Sequence, residues 1–234
     1  LFIIPLIFLG FKNKWKAPLI GIVFIMIIIT LRRTAIIGLI FCIPFCFNYL
    51  KKNLSKSQIF IALPVIFFSI LYSWEFIGNA VVTRFQELFT GRDDGSYGSG
   101  RSEFYLTVFF DWVKNVKSFI FGNGIGNVRQ LLTTQYFNDL THAHNDYLEI
   151  ANAFGLLGLI LWLLIITNIL KLRKKIKQFI PSHLNVYYIT IISYLIISLA
   201  SGCVLRITTL PFSMTIAILL YNTKSQQVLS REFN

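Results

Sequence analysis

Blocks of isoleucine, leucine, phenylalanine and valine alternate along this chain with short strings of lysine, and that alternation limits its fold more than any other feature. A bilayer core is crossed by about 20 apolar residues in a helix. Residues 1–10 read as the end of a span, and 18–31 as apolar but short. Residues 34–50, 58–74, 148–170, 186–202 and 204–221 read as fuller spans. The pattern predicts an all-α, polytopic transmembrane helix bundle of about six spans. Pro5, Pro18, Pro44, Pro64 and Pro211 fall in or beside these blocks, where membrane helices tolerate proline. Hydrophobic residues make up 55% of the 234, above the usual share of a soluble domain.

The formal charge of +12 would point to nucleic acid if it formed a patch on a soluble surface. Here it is dispersed between apolar blocks and reads as a topology signal, so no nucleic-acid partner is expected. Lys12, Lys14 and Lys16 form one basic connection, Lys51, Lys52 and Lys56 a second, and Lys171 to Lys177 a third, while Lys224 and Arg231 lie in the tail. Alternating spans put all four on one side, where they hold 13 of the 22 basic residues with Glu232 as the only acid. The stretch 75–147, with six basic and eight acidic residues, then falls outside the cytoplasm. The expected organisation is transmembrane helices over 1–74, an extracytoplasmic catalytic loop over 75–147, transmembrane helices over 148–222 and a cytoplasmic tail over 223–234. The chain opens inside an apolar run without Met or a basic n-region, so a fragment is expected rather than a signal peptide.

Cys42, Cys46 and Cys203 all lie in apolar segments without metal-ligand spacing, and Cys42 and Cys46 fit small apolar packing on one helix face. Arg32, Arg33 and Arg206 fall on the outer side, against the charge trend. Each has two readings: a headgroup contact by snorkelling, or an anion site.

The outer loop has three parts. Gly91 to Gly100 is a polar turn region. Arg101 to Ile120 predicts one amphipathic helix, with Phe109, Trp112, Val113, Val116, Phe119 and Ile120 at helical spacing. Such a helix lies in the membrane interface or covers the bundle. Gly122-Asn123-Gly124-Ile125-Gly126-Asn127 follows. Its glycines Gly122, Gly124 and Gly126 suit an anion-binding concavity, and equally a tight turn that ends the helix at Gly122. The last part, Thr141 to Glu149, carries two of the three histidines, His142 and His144. They fit either a metal site with Asp146 or a general base. Nothing outside the cytoplasm convincingly supplies further His or Cys ligands, so no metal is expected.

Three of these segments together resemble a known family. Gly122-Asn123-Gly124-Ile125-Gly126, then His142-Ala143-His144-Asn145-Asp146-Tyr147-Leu148-Glu149-Ile150, then Gly155-Leu156-Leu157-Gly158, is similar to the O-antigen ligase and polymerase family of membrane glycosyltransferases (Wzy_C type). Arg33-Thr34-Ala35 looks like the family's Ser-Arg-Thr element, and Gly100-Arg101-Ser102-Glu103 like its Gly-Arg element. Arg32 stands where the family usually has Ser, which leaves Arg32 and Arg33 both open as the equivalent arginine. Family members usually have about twice as many spans.

The resemblance implies transfer of a glycan from an undecaprenyl diphosphate-linked donor, on the periplasmic side of the bacterial inner membrane. The acceptor is lipid A core for a ligase, or another lipid-linked glycan for a polymerase. It implies no metal or other cofactor, and inversion at the anomeric carbon. It points to His144 as the base that deprotonates the acceptor hydroxyl, and to Arg33 and Arg101 as the cations that meet the diphosphate. Arg32, Gly122, Gly124, Gly126, His142, Asn145 and Asp146 are then candidates for substrate binding. A transporter is the rival of a different class. It would favour charged residues within spans near the midplane, whereas polar residues here gather in one loop.

Overall fold

The computed structural model describes residues 1–29, 33–53, 101–136, 142–200 and 209–232. The predicted span at 58–74, the turn region at 91–100, and Arg32, Cys203 and Arg206 lie outside the described residues. Among those described, every regular element is a helix and none is a strand. In chain order they are α1 (Ile3–Gly10), α2 (Asn13–Ile29), α3 (Arg33–Asn53), α4 (Arg101–Val113), α5 (Val116–Phe121) and α6 (Asn127–Tyr136). Then come α7 (Asp146–Phe179), a 3-10 turn (Pro181–His183), α8 (Leu184–Ala200) and α9 (Thr209–Glu232).

Among the described residues, three helical stretches are long and apolar enough to cross a membrane: Thr34–Lys51, Asp146–Phe179 and Pro181–Leu199. Two helices outrun their predicted spans. α7 continues through the basic string to Phe179, and α9 continues through the predicted tail to Glu232. Lys177 sits in the last turn of α7, where a cation complements the exposed carbonyls of the helix end.

The chain divides into two compact units. The first contains α1, α2, α3, the end of α7 from Ile169, most of α8, and α9. Its core gathers Ile4, Ile7 and Phe8 of α1, Ile20 and Ile27 of α2, Leu39 and Tyr49 of α3, and Val186 and Ile189 of α8. Cys42 and Cys46 are buried in the same cluster. The Cys42 thiol lies 3.8 Å from the carbonyl of Ile189 and 3.5 Å from Ser193 Oγ, so a small side chain there lets α3 and α8 approach closely. At the other end of α3, Lys16 Nζ donates to the Tyr49 hydroxyl at 2.9 Å, and that hydroxyl donates to the Phe8 carbonyl at 3.0 Å.

The second unit contains α4, α5, α6, and α7 as far as Asn168. A small core of Val108, Val128, Leu132 and Ala143, flanked by Phe104, Leu131 and Leu148, joins α4, α6 and the start of α7. The single helix predicted over 101–120 is two helices here. It breaks at Lys114 and Asn115, because the Asn115 side chain accepts from the Ser118 amide at 2.8 Å and so starts α5 as an N-cap. Gly122 ends α5, its amide donating to the Ser118 carbonyl at 2.9 Å.

Candidate active site at the start of the longest helix

The histidine segment leads straight into α7. Asn145 sets that junction. Its Oδ1 accepts from the Leu148 amide at 3.1 Å, and its Nδ2 donates to the Leu199 carbonyl at 3.2 Å. The first bond satisfies one of the amides left open at a helix start. Asp146 and Glu149 occupy the first turn and are both buried, where the positive end of the helix dipole favours carboxylates. Glu149 Oε2 lies 3.4 Å from His142 Nδ1.

Between those two anchors, Ala143 is fully buried in the small core, and His144 takes a φ of 59°. That is the left-handed region, in which a side chain costs on the order of 1–2 kcal/mol. The conformation persists because its neighbours fix it: Ala143 by burial, Asn145 by its two hydrogen bonds, and the His144 carbonyl by the Tyr105 hydroxyl at 3.5 Å.

A second polar centre lies nine residues along α7. Gly155 has φ 68° and ψ −166°, a conformation open almost only to glycine. It interrupts the helical ladder, and the carbonyls before it take donors from elsewhere. Asn123 N–H donates to the Asn152 carbonyl at 2.7 Å, and Gly124 N–H to the Ala153 carbonyl at 3.0 Å. Gly122 and Gly155 meet backbone to backbone. A Cβ on Gly155 would run into the Ile120 carbonyl, and one on Gly122 into Ala153. The glycine string is thus moored on the kink of α7, with its Asn123 and Gly124 amides engaged there. Gly124 and Gly126 have positive φ and are exposed, with open space where a Cβ would stand.

Asp111 of α4 locks this contact from the side. Its Oδ2 accepts from the side-chain amides of Asn127 at 2.7 Å, Asn123 at 2.9 Å and Asn152 at 2.9 Å. Its Oδ1 accepts from Lys114 at 2.8 Å. Asn152 is fully buried, and its Oδ1 accepts from Asn127 at 2.9 Å. Burial pushes the Asp111 carboxyl upward, but the bonds from Lys114, Asn152 and Asn127, with the lysine's charge, outweigh it and hold the group below its usual range.

Arg33 opens α3 in the first unit, and Arg101 opens α4 in the second. The second unit also holds His142, His144, Asn145, Asp146 and the three string glycines. Among the described residues no three His, Cys, Asp or Glu side chains are grouped to hold a metal ion. Sequence reasoning missed the Asp111–asparagine centre and the pairing of Glu149 with His142. One signal was present: an asparagine, Asn152, early in the most apolar block, where an unpaired amide would be costly.

A family model described as O-antigen ligase (Wzy_C) matches residues 18–163, more than half of the chain. The chain belongs to the O-antigen ligase family. The match takes in α3, the glycine string, the histidine segment and the kinked start of α7. No curated protein and no solved structure matches the chain. The family, with the apolar spans, makes this a membrane protein of the class that ligates or polymerises lipid-linked glycans.

Proposed function

We propose that the chain transfers a glycan from undecaprenyl diphosphate to a hydroxyl of an acceptor sugar, outside the cytoplasm, in a bundle of about six spans. The observation that carries this reading is His144, held in a strained backbone at the mouth of α7 inside the family match. Strain of this kind collects at functional sites. In the proposed step His144 removes the proton of the acceptor hydroxyl. The freed oxygen bonds to the anomeric carbon from the face opposite the diphosphate, and the carbon–diphosphate bond breaks with inversion. Undecaprenyl diphosphate leaves with the bonding electrons, and Arg33 and Arg101 meet its growing charge as fixed bidentate cations. Asn145 and Asp146 orient the segment, Arg32 and His142 add polar contacts, and the backbone of the glycine string at Gly122, Gly124 and Gly126 adds contacts to the glycan. No metal takes part in this scheme.

The test is complementation. The full-length protein is expressed in a strain lacking its own gene, and surface glycan is resolved on a gel. Wild type restores glycan, and His144→Ala at equal expression does not; transfer retained by His144→Ala would remove the base assignment. The empty strain separates ligase from polymerase. Long chains left unattached mark a missing ligase, and single-repeat products mark a missing polymerase. A strain that still makes and attaches full-length glycan, but retains it on the wrong side, would favour the transporter.

A further inference from the structure

The outward side of α4 and α5 has no covering in the described structure. Leu106, Phe109, Phe110 and Val113 are exposed, and their spacing of three, four and seven residues makes one stripe along α4. The opposite side of α4 is already used: Val108 and Phe104 pack in the small core and Asp111 grips the asparagines. Beyond the break, Val116, which is 73% exposed, Phe121 and Ile125 of the glycine string, 76% exposed, are further apolar residues without cover. Trp112 stacks on Phe119 with ring centres 5.3 Å apart, and its indole N–H donates to the Phe119 carbonyl at 3.1 Å. The ring pair thereby stiffens the α4–α5 corner.

Two observations decide what this side meets. The first is continuity with the span. Gly122 at the end of α5 rests on Ala153 and Gly155 of α7. At that level α7 changes from a buried surface at 150–153 to an exposed apolar one at Phe154, Leu157, Leu161 and Leu164. The exposed apolar surface of α5 therefore borders the place where the candidate membrane span turns its own apolar residues outward. The second is charge. Lys114, in the break and bonded to Asp111, and Lys117 just beyond it are both exposed basic residues. Long basic side chains beside an apolar stripe, with a tryptophan at the corner, suit the boundary of phosphate headgroups and acyl chains.

We infer that the α4–α5 corner lies in the membrane surface, its stripe inserted roughly 5–10 Å to the headgroup–acyl boundary and Lys117 on lipid phosphates. The partner is the bilayer itself, independent of the reaction assigned above. The corner then holds Asp111, and through it the kink of α7, at a fixed depth beside the lipid surface.

The test places a fluorescent nitrobenzoxadiazole label on single cysteines of the full chain, with Cys42, Cys46 and Cys203 changed to Ala. The protein is reconstituted in vesicles of phosphatidylethanolamine and phosphatidylglycerol. The labels stand at Phe110→Cys, Val116→Cys and Ile125→Cys, all exposed sites, and at Gln130→Cys on the polar side of α6 as the aqueous reference. The expected result is blue-shifted emission at the first three, with strong quenching by lipids carrying a nitroxide high on the acyl chain and weak quenching by iodide. Gln130→Cys shows the reverse. Iodide quenching at the stripe equal to that at Gln130→Cys would place it in water and overturn the inference. A stripe label quenched by neither agent would mean that protein, a second copy or a partner, covers it, and would overturn the inference equally.

Discussion

Asp111 collects four donors on one carboxylate, three of them side-chain amides that have turned their N–H groups toward it. Asp111→Asn leaves the shape but replaces one acceptor oxygen by a donor, so two N–H groups oppose each other inside a packed contact. Bonds to a charged acceptor are worth roughly 1.5–3 kcal/mol each, and the expected loss of stability is of that order. It is read as a lower midpoint of thermal unfolding for the purified protein. The sign of the pH effect follows from the lowered pKa. Above the unfolded-state value, about 3.9 for Asp, the folded chain keeps the full benefit of the ionised group. That benefit is lost as pH falls through the lower folded-state value. Wild type is therefore expected to lose stability below about pH 4, and Asp111→Asn to lose less over the same window. An equal slope in both proteins would show that Asp111 is not the group being titrated. His144 could be singled out in the sequence because its type and its place before a span both carry chemistry. Asp111 could not, because one acid among eight in a polar loop has nothing local to mark it. Its role comes from asparagines 12, 16 and 41 residues away.

The glycine string and the kinked start of α7 form one composite element. Gly122 and Gly155 each need the close approach and the backbone angles that glycine allows, whereas Gly124 needs only its positive φ. Alanine at 124 is expected to cost about 1–2 kcal/mol of backbone strain. Alanine at 122 or 155 adds a collision with backbone that cannot swing away, and exceeds that cost clearly. In thermal unfolding, Gly155→Ala and Gly122→Ala should fall well below Gly124→Ala. If all three match, the mooring of the string on α7 is not what holds this region together. The sequence left a turn and an anion-binding concavity open on equal terms. Gly122 does end α5, and its neighbours' amides are spent on α7, while the Gly124–Gly126 edge stays outward. The choice was hidden because it depends on Gly155, whose non-helical angles interrupt an otherwise uniform apolar block. Helical spacing similarly concealed the break at Asn115, which only its capping bond reveals.

At the scale of the molecule, the positions of the three candidate spans among the described residues followed from composition, because bilayer thickness sets the length of an apolar helix. Which face of a span meets protein did not follow, since lipid and protein core are equally apolar. Little of the apolar window in α7 is buried, yet nearly half of that in Pro181–Leu199 is, and both read alike as sequence. Of the residues proposed for catalysis, Arg33 begins a helix of the first unit, and Arg101 and His144 belong to the second. The proposed reaction requires both arginines on one leaving diphosphate. Removing one preorganised charge partner commonly costs about 10²–10³ in rate. Arg33→Ala and Arg101→Ala are each expected to lower glycan transfer to that extent at unchanged expression. Lysine at either position should restore little, because an ammonium cannot grip two phosphate oxygens in a fork. Groups that act together on one transition state are not additive, so the double variant should be little worse than the poorer single one. A loss equal to the product of the two would mean that the arginines serve separate steps. The proposed joint action of the two arginines on the leaving group would then fail.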